Sequence, residues 1–280
     1  MIGTMRPDTE AHTVTPSEAP ATAGDMLRAW RRRRRLSQLD LALGAEISTR
    51  HLSFVETGRA APSRQVLLRL AEELALPLRG RNALLVAAGF APVHPERPLD
   101  APDMTPAREA LERILQAHEP YPALAIDRRW TLVAANRAVA PLLDGVDPDL
   151  LRAPATVLRL SLPPAGLAPR IENLGEWRAH LLHRLGRQVD ETADPVLTDL
   201  LAELSAYPSR AATGPVAASS AIAVPLRLRG PDGHLLSFLS TTTVFGTPTD
   251  VTLEEIALEC LFPADEATRR ALQQGAEGRR

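Results

Sequence analysis

Six side chains able to contact nucleic acid crowd into nine residues: Thr49, Arg50, His51, Ser53, Phe54 and Thr57. At about 100° per residue, Leu52 and Val55 share one face of a helix, while Arg50, Ser53, Phe54 and Thr57 point away from it. That outward set suits base-edge recognition. A guanidinium offers two donors to guanine, and an aromatic ring can meet a thymine methyl. Thr49 and His51, near the helix start, reach base edges or phosphate. Free N–H groups at helix starts favour phosphate oxygens, which makes Ser37, Gln38 and Ser48 candidates for backbone contact. Packing on a neighbouring domain is the competing role for Phe54, and a solvated helix surface the competing role for any one arginine of Arg31–Arg35.

To present these groups the chain needs a small helical scaffold. Apolar spacing predicts five helices, at residues 25–35, 37–45, 48–57, 63–74 and 78–88. Ser37 with Asp40 fits a capping box, and Ser48 can cap the third helix after a three-residue turn at 45–47. Gly58 suits the left-handed residue that ends a helix. Two short helices around such a turn form a helix-turn-helix unit, whose second helix enters the major groove.

Charge agrees. Residues 25–90 hold twelve Arg against six Asp and Glu, a net of +6, while the rest of the chain nets −8. A basic part joined to an acidic one points to a polyanionic partner for the first alone. Because the chain has no Lys at all, the clustering of arginine informs more than its abundance. The single cysteine, Cys260, excludes an intramolecular disulfide and a zinc ribbon. No apolar run reaches eighteen residues and the first ten lack a secretory pattern, so a cytoplasmic protein without a membrane span is expected. Neither a nucleophile elbow, a P-loop, a GxGxxG fingerprint nor metal-ligand spacing occurs, which argues against an enzyme and against metal or cofactor.

Five prolines between 92 and 106 predict a semi-rigid linker at 92–104. Beyond it, a helix at 105–118 precedes two apolar runs, 123–127 and 130–135, that read as a hairpin. Asn136 can cap a short helix to 143, Asn173 a striped helix over 173–189, and Asp194 with Pro195 another. Strands are expected at 221–229, 235–244 and 253–261, with a turn at 231–233. The order is that of an α+β domain with an antiparallel sheet. Residues 1–23 and 273–280 read as a disordered arm and tail. Trp130, Trp177, Phe238 and Phe245 can line an apolar cavity or simply fill a core. His180 and His183 read as solvated or capping groups.

The motifs Leu36-Ser37-Gln38, Leu41-Ala42, Leu52 through Arg59 and Pro62-Ser63 closely resemble the Cro/repressor-type (XRE-family) helix-turn-helix regulators, over roughly residues 24–91. The resemblance implies a lambda-repressor-like, all-α five-helix domain. It implies DNA contact by Gln38, base reading by Thr49, Arg50 and Phe54, and phosphate proximity for Thr57 and Arg59. It also implies a buried ion pair between Arg31 and Glu56. Leu84 through Pro92, Pro122 through Asp127, Trp130 through Asn136 and Pro263-Ala264-Asp265 with Thr268 resemble the ligand-binding domain of MmyB-like regulators, over 105–272. That resemblance implies a PAS-like sheet with helices on one face, enclosing a fatty-acid-like ligand for which Trp130, Trp177 and Phe238 are candidates. A DNA-binding adaptor or antitoxin whose second domain binds only protein is the alternative, and a homodimer is expected, since one half-site is too short to be specific.

Overall fold

The computed structural model describes residues 21–208, 224–230 and 232–277. Two compact units emerge, one formed by residues up to Ala75 with Ala83–Ala91, the other by Leu76–Asn82 with residues from Pro92 onward. The stretches 1–20, 221–223 and 278–280, parts of the expected arm, strand and tail, lie outside the described residues, as does Pro231 of the expected turn.

The first unit contains α1 (Ala23–Arg33), α2 (Gln38–Gly44), α3 (Thr49–Glu56), α4 (Arg64–Glu73) and the later turns of α5 (Leu78–Ala87). All five expected helices are present. Ser37 and Asp40 form the capping box that starts α2, and Ser48 Oγ accepts from the His51 N–H at 3.1 Å to start α3. A second capping box, Thr22 with Asp25, starts α1 two residues before the expected position. Leu27, Leu41, Leu52, Leu67, Leu70, Leu74, Leu84 and Leu85 are at most 1% exposed. Burial of each such leucine stabilises the bundle by about 1.5–3 kcal/mol. Gly58, at φ 71°, turns the chain out of α3.

Helices α1 and α3 touch backbone to backbone at Gly24. A Cβ built there would stand 2.5 Å from the Val55 carbonyl oxygen and 3.0 Å from that of Glu56. Gly24→Ala should therefore destabilise the first unit by about 1–3 kcal/mol, although alanine is the better helix former. Calorimetry of the full chain checks this, and an unchanged or raised first transition would show that the helices can separate freely.

The second unit is built on a five-stranded antiparallel sheet in the order β2-β1-β5-β4-β3. Along the chain come α6 (Thr105–Ala117), β1 (Ala123–Ile126), β2 (Leu132–Ala135), α7 (Pro148–Leu151), α8 (Val157–Ser161), α9 (Leu174–Thr192), α10 (Pro195–Ala206), β3 (Leu226–Arg229), β4 (Leu235–Val244), α11 (Val251–Glu254), β5 (Ala257–Pro263) and α12 (Glu266–Glu277). The PAS-like α+β class is as expected, but helices cover both faces rather than one. Alternation along β1 sends Ala123 and Ala125 toward Leu111 and Leu115 of α6, and Ile126 into the larger core with Trp177, Leu181 and Leu185 of α9.

Several boundaries differ from expectation. The strand expected over 253–261 begins only at Ala257, because Asp250 caps α11 through the Thr252 N–H at 2.8 Å. Residues 273–277, expected as tail, continue α12, whose Leu272 is buried. Residues 92–104, expected as a linker, are tied down within the second unit. There Asn82 Oδ1 accepts from the Val93 and His94 N–H groups, and Arg97 pairs with the buried Asp250 at 2.9 Å. Asp194 caps α10 as expected. Asn173, by contrast, spends its side chain on Pro225 O and Arg227 N–H, bracing β3 instead of capping α9. The buried Asn136 joins α6 to β1, donating to Leu115 O and Tyr121 O and accepting from the Ala123 N–H.

Candidate nucleic-acid interface and ligand cavity

Helix α3 buries Leu52 and Val55, at 0% and 2% exposure, so its other face is turned out of the bundle. Arg50 is exposed there, and its guanidinium carbon lies 5.3 Å from the centre of the Phe54 ring. This cation–π contact holds the two side chains beside each other on the outer face. Thr49, His51, Ser53 and Phe54 are half-buried, while Ser48, Thr57 and Arg59 are exposed. The Thr57 hydroxyl donates back to Ser53 O at 2.7 Å. Ser48 Oγ is engaged only as an acceptor in its cap, which leaves its hydroxyl proton available to a phosphate. The Ser37 hydroxyl donates to Asp40 at 2.6 Å within the capping box.

Beneath this face sits Glu56, 2% exposed. Arg31 Nε and Nη2 donate to its two oxygens at 2.6 and 2.9 Å, a bidentate pair. Gln38 Nε2 donates to Oε2 at 2.8 Å, and Arg28 Nη2 donates to the Glu56 carbonyl. One carboxylate thus binds α1, α2 and α3 together. Burial pushes its pKa up, but the hydrogen bonds from Arg31 and Gln38 and the charges of Arg31 and Arg28 outweigh that and hold it below the usual glutamate value. Gln38 is therefore positioned by Glu56 at the mouth of α2. Arg34 is also structural, since it donates to Leu74 O and Ala75 O at the end of α4.

In the second unit, a cavity of about 110 Å³ lies between the sheet and α8 and α9. Leu124, Leu132, Leu226 and Leu228 form its floor, and Leu158, Leu160, Trp177 and Leu181 its roof. Trp130, at φ 63°, is set by the turn in which Asp127 Oδ1 accepts from the Arg129 and Thr131 N–H groups, each at 2.8 Å. Both indoles have polar partners: Trp130 donates to Gln188 at 2.8 Å and Trp177 to Ser161 at 3.2 Å. Of the aromatic candidates, Trp130 and Trp177 line the cavity. Phe238 is fully buried in the core and is not among the lining residues, and Phe245 packs on the opposite face of the sheet.

Sequence reasoning missed the polar residues of this cavity, Ser161, Arg184, Ser240 and Glu259. A signal existed: Glu259 is the one carboxylate in the apolar run Ile256–Phe262, and Arg184 extends the stripe of Trp177 and Leu181. His180 stacks on Trp177 with centroids 5.6 Å apart, and burial, then the Arg184 charge, push its imidazole below the usual histidine range. His183 is exposed, as expected.

Comparison with known proteins bears on both units. The family model described as "MmyB-like transcription regulator ligand binding domain" matches residues 107–274, more than half of the chain. The chain belongs to this family. A helix-turn-helix model matches residues 27–80, so this MmyB-like chain is a DNA-binding transcription regulator rather than an enzyme. No curated protein matches it. Among solved structures, one described as an RNA-binding Light-Oxygen-Voltage receptor aligns at 14% identity with a TM-score of 0.27, covering 91% of this chain and 63% of that one. This chain therefore spans less than two thirds of that structure's length. Among the described residues, no helix is long and apolar enough to cross a membrane.

Proposed function

We propose that this regulator binds its operator as a homodimer through α3 and senses a small apolar, fatty-acid-like molecule in the cavity of its second unit. The cavity carries the reading: fifteen of its nineteen lining residues are Leu, Val or Trp. Apolar walls with a few converging polar groups are the usual form of a small-molecule site. A ligand that prefers one of two states of the protein shifts DNA affinity by no more than its differential affinity for them. Two helix-turn-helix units on a two-fold axis read half-sites about 34 Å apart. Light scattering should accordingly give twice the 30.3 kDa chain mass.

The test is to purify the protein, denature it and examine the released material by mass spectrometry. A stoichiometric apolar compound is expected, and adding it back should change the DNA-binding isotherm. A protein that carries none and whose DNA affinity is unmoved by apolar compounds would instead be an adaptor for a protein partner.

A further inference from the structure

The polar end of the cavity specifies more about its guest than the apolar walls do. Alternation along β5 turns Glu259, with Leu261, to the cavity side, opposite Leu124 of β1 and Thr242 of β4. Glu259 is 7% exposed, and both its carboxylate oxygens have donors, with one acceptor site on Oε2 still open. Arg184 Nη2 donates to Oε1, Thr242 Oγ1 donates to Oε1 at 3.0 Å, and Ser240 Oγ donates to Oε2 at 3.1 Å. The Arg184 guanidinium also lies over the Trp130 ring, 4.6 Å from its centre. The cavity lining thus carries one cation and one anion, and they are already paired with each other.

This pairing discriminates between ligand head groups. A ligand carboxylate that took the Arg184 N–H now given to Glu259 would leave Glu259 buried with two hydroxyls as its remaining donors. Even without displacement, it would sit beside a like charge in surroundings that screen poorly. An ammonium would meet the same difficulty against Arg184. A hydroxyl or primary amide carries no charge, can donate to Glu259, and can accept from a guanidinium N–H or a hydroxyl without breaking the pair. We infer that the ligand is an uncharged molecule, an apolar body bearing an alcohol or amide group, and that the Arg184–Glu259 pair is the element that rejects the corresponding free acid. The inference rests on the ligand-sensing reading above and narrows it: the guest resembles a fatty acid in its hydrocarbon part and differs from it in its head.

The size of the body follows from the volume. At about 110 Å³ the cavity is of the order of the roughly 150 Å³ void that admits benzene, so six-carbon probes are appropriate. Hexan-1-ol, hexanamide and hexanoate, which share a hydrocarbon chain, are to be titrated into the full-length protein near neutral pH, with heat and thermal shift as readouts. The alcohol and the amide should bind saturably, and hexanoate about tenfold more weakly or worse. In Glu259→Gln the amide oxygen still accepts from Arg184 and Thr242, its NH2 donates to Ser240 instead, and the Arg184 charge is freed, so hexanoate should gain about tenfold and overtake the alcohol. Wild-type protein that prefers hexanoate overturns the inference while leaving the sensor intact. Protein that binds none of the three saturably overturns the sensing reading and this inference with it. If the variant does not fold, the wild-type ranking of acid against alcohol and amide still decides.

Discussion

Replacing Glu56 with alanine should destabilise the first unit by about 3–5 kcal/mol. The side chain is 1% exposed and accepts two hydrogen bonds from Arg31 and one from Gln38. Removing it leaves the Arg31 guanidinium, 13% exposed, without its counter-charge, and an uncompensated buried charge costs more than the pair is worth. For a unit of this size the loss lowers the melting temperature by about 12 °C or more. Replacing both partners with methionine should cost clearly less than the two single substitutions added together, because no charge is then left alone. Calorimetry of the full chain, following the first unit's transition, measures all three variants. Strict additivity would mean that the pair is not a unit.

The same carboxylate sets an acid limit. Its folded pKa lies below the ordinary glutamate value, so its contribution is fully present above the unfolded pKa and is lost as pH falls through the folded one. Below that point, both states bind the proton and nothing remains to lose. Glu56→Gln, which cannot titrate, should remove this part of the first unit's acid sensitivity.

Local chemistry explains what was readable in the sequence. The inner face of α3 followed from Leu52 and Val55 alone, and the start of α2 from Ser37 and Asp40, since periodicity and caps act within a turn or two. The Thr22–Asp25 box escaped because the turn it starts, Ala23-Gly24, carries no large apolar side chain to mark a helix. The arginine run was the harder case. Arg34 serves carbonyls forty residues away at Leu74 and Ala75, and no local pattern separates it from a phosphate-binding neighbour. The cavity failed in both directions for one reason. Whether Trp130 or Phe238 faces a void depends on how α8 and α9 lie on the sheet, and Glu259 becomes intelligible only once Arg184 stands opposite.

The DNA interface should divide into readers and holders. Arg50 is exposed on the outward face of α3 and held against Phe54 at 5.3 Å, so its donors are presented with part of their rotamer freedom already lost. Set against a guanine edge, such a side chain discriminates by about 1–3 kcal/mol. Arg59, exposed beyond the left-handed Gly58, lies outside α3 and should touch the phosphate chain instead. An operator selected from a random pool supplies the specific site, and shuffled duplex the non-specific one. Arg50→Ala should lose affinity on the operator alone and relax preference at one base pair in each half-site. Arg59→Ala should weaken binding to both duplexes alike and reduce the slope of log affinity against log salt by about one per protomer. Phe54→Ala should behave as a weaker copy of Arg50→Ala, since it removes both an apolar base contact and the support under the guanidinium. If Arg50→Ala and Arg59→Ala lose the same affinity on operator and shuffled duplex, α3 holds the backbone only, and the bases are read by another element.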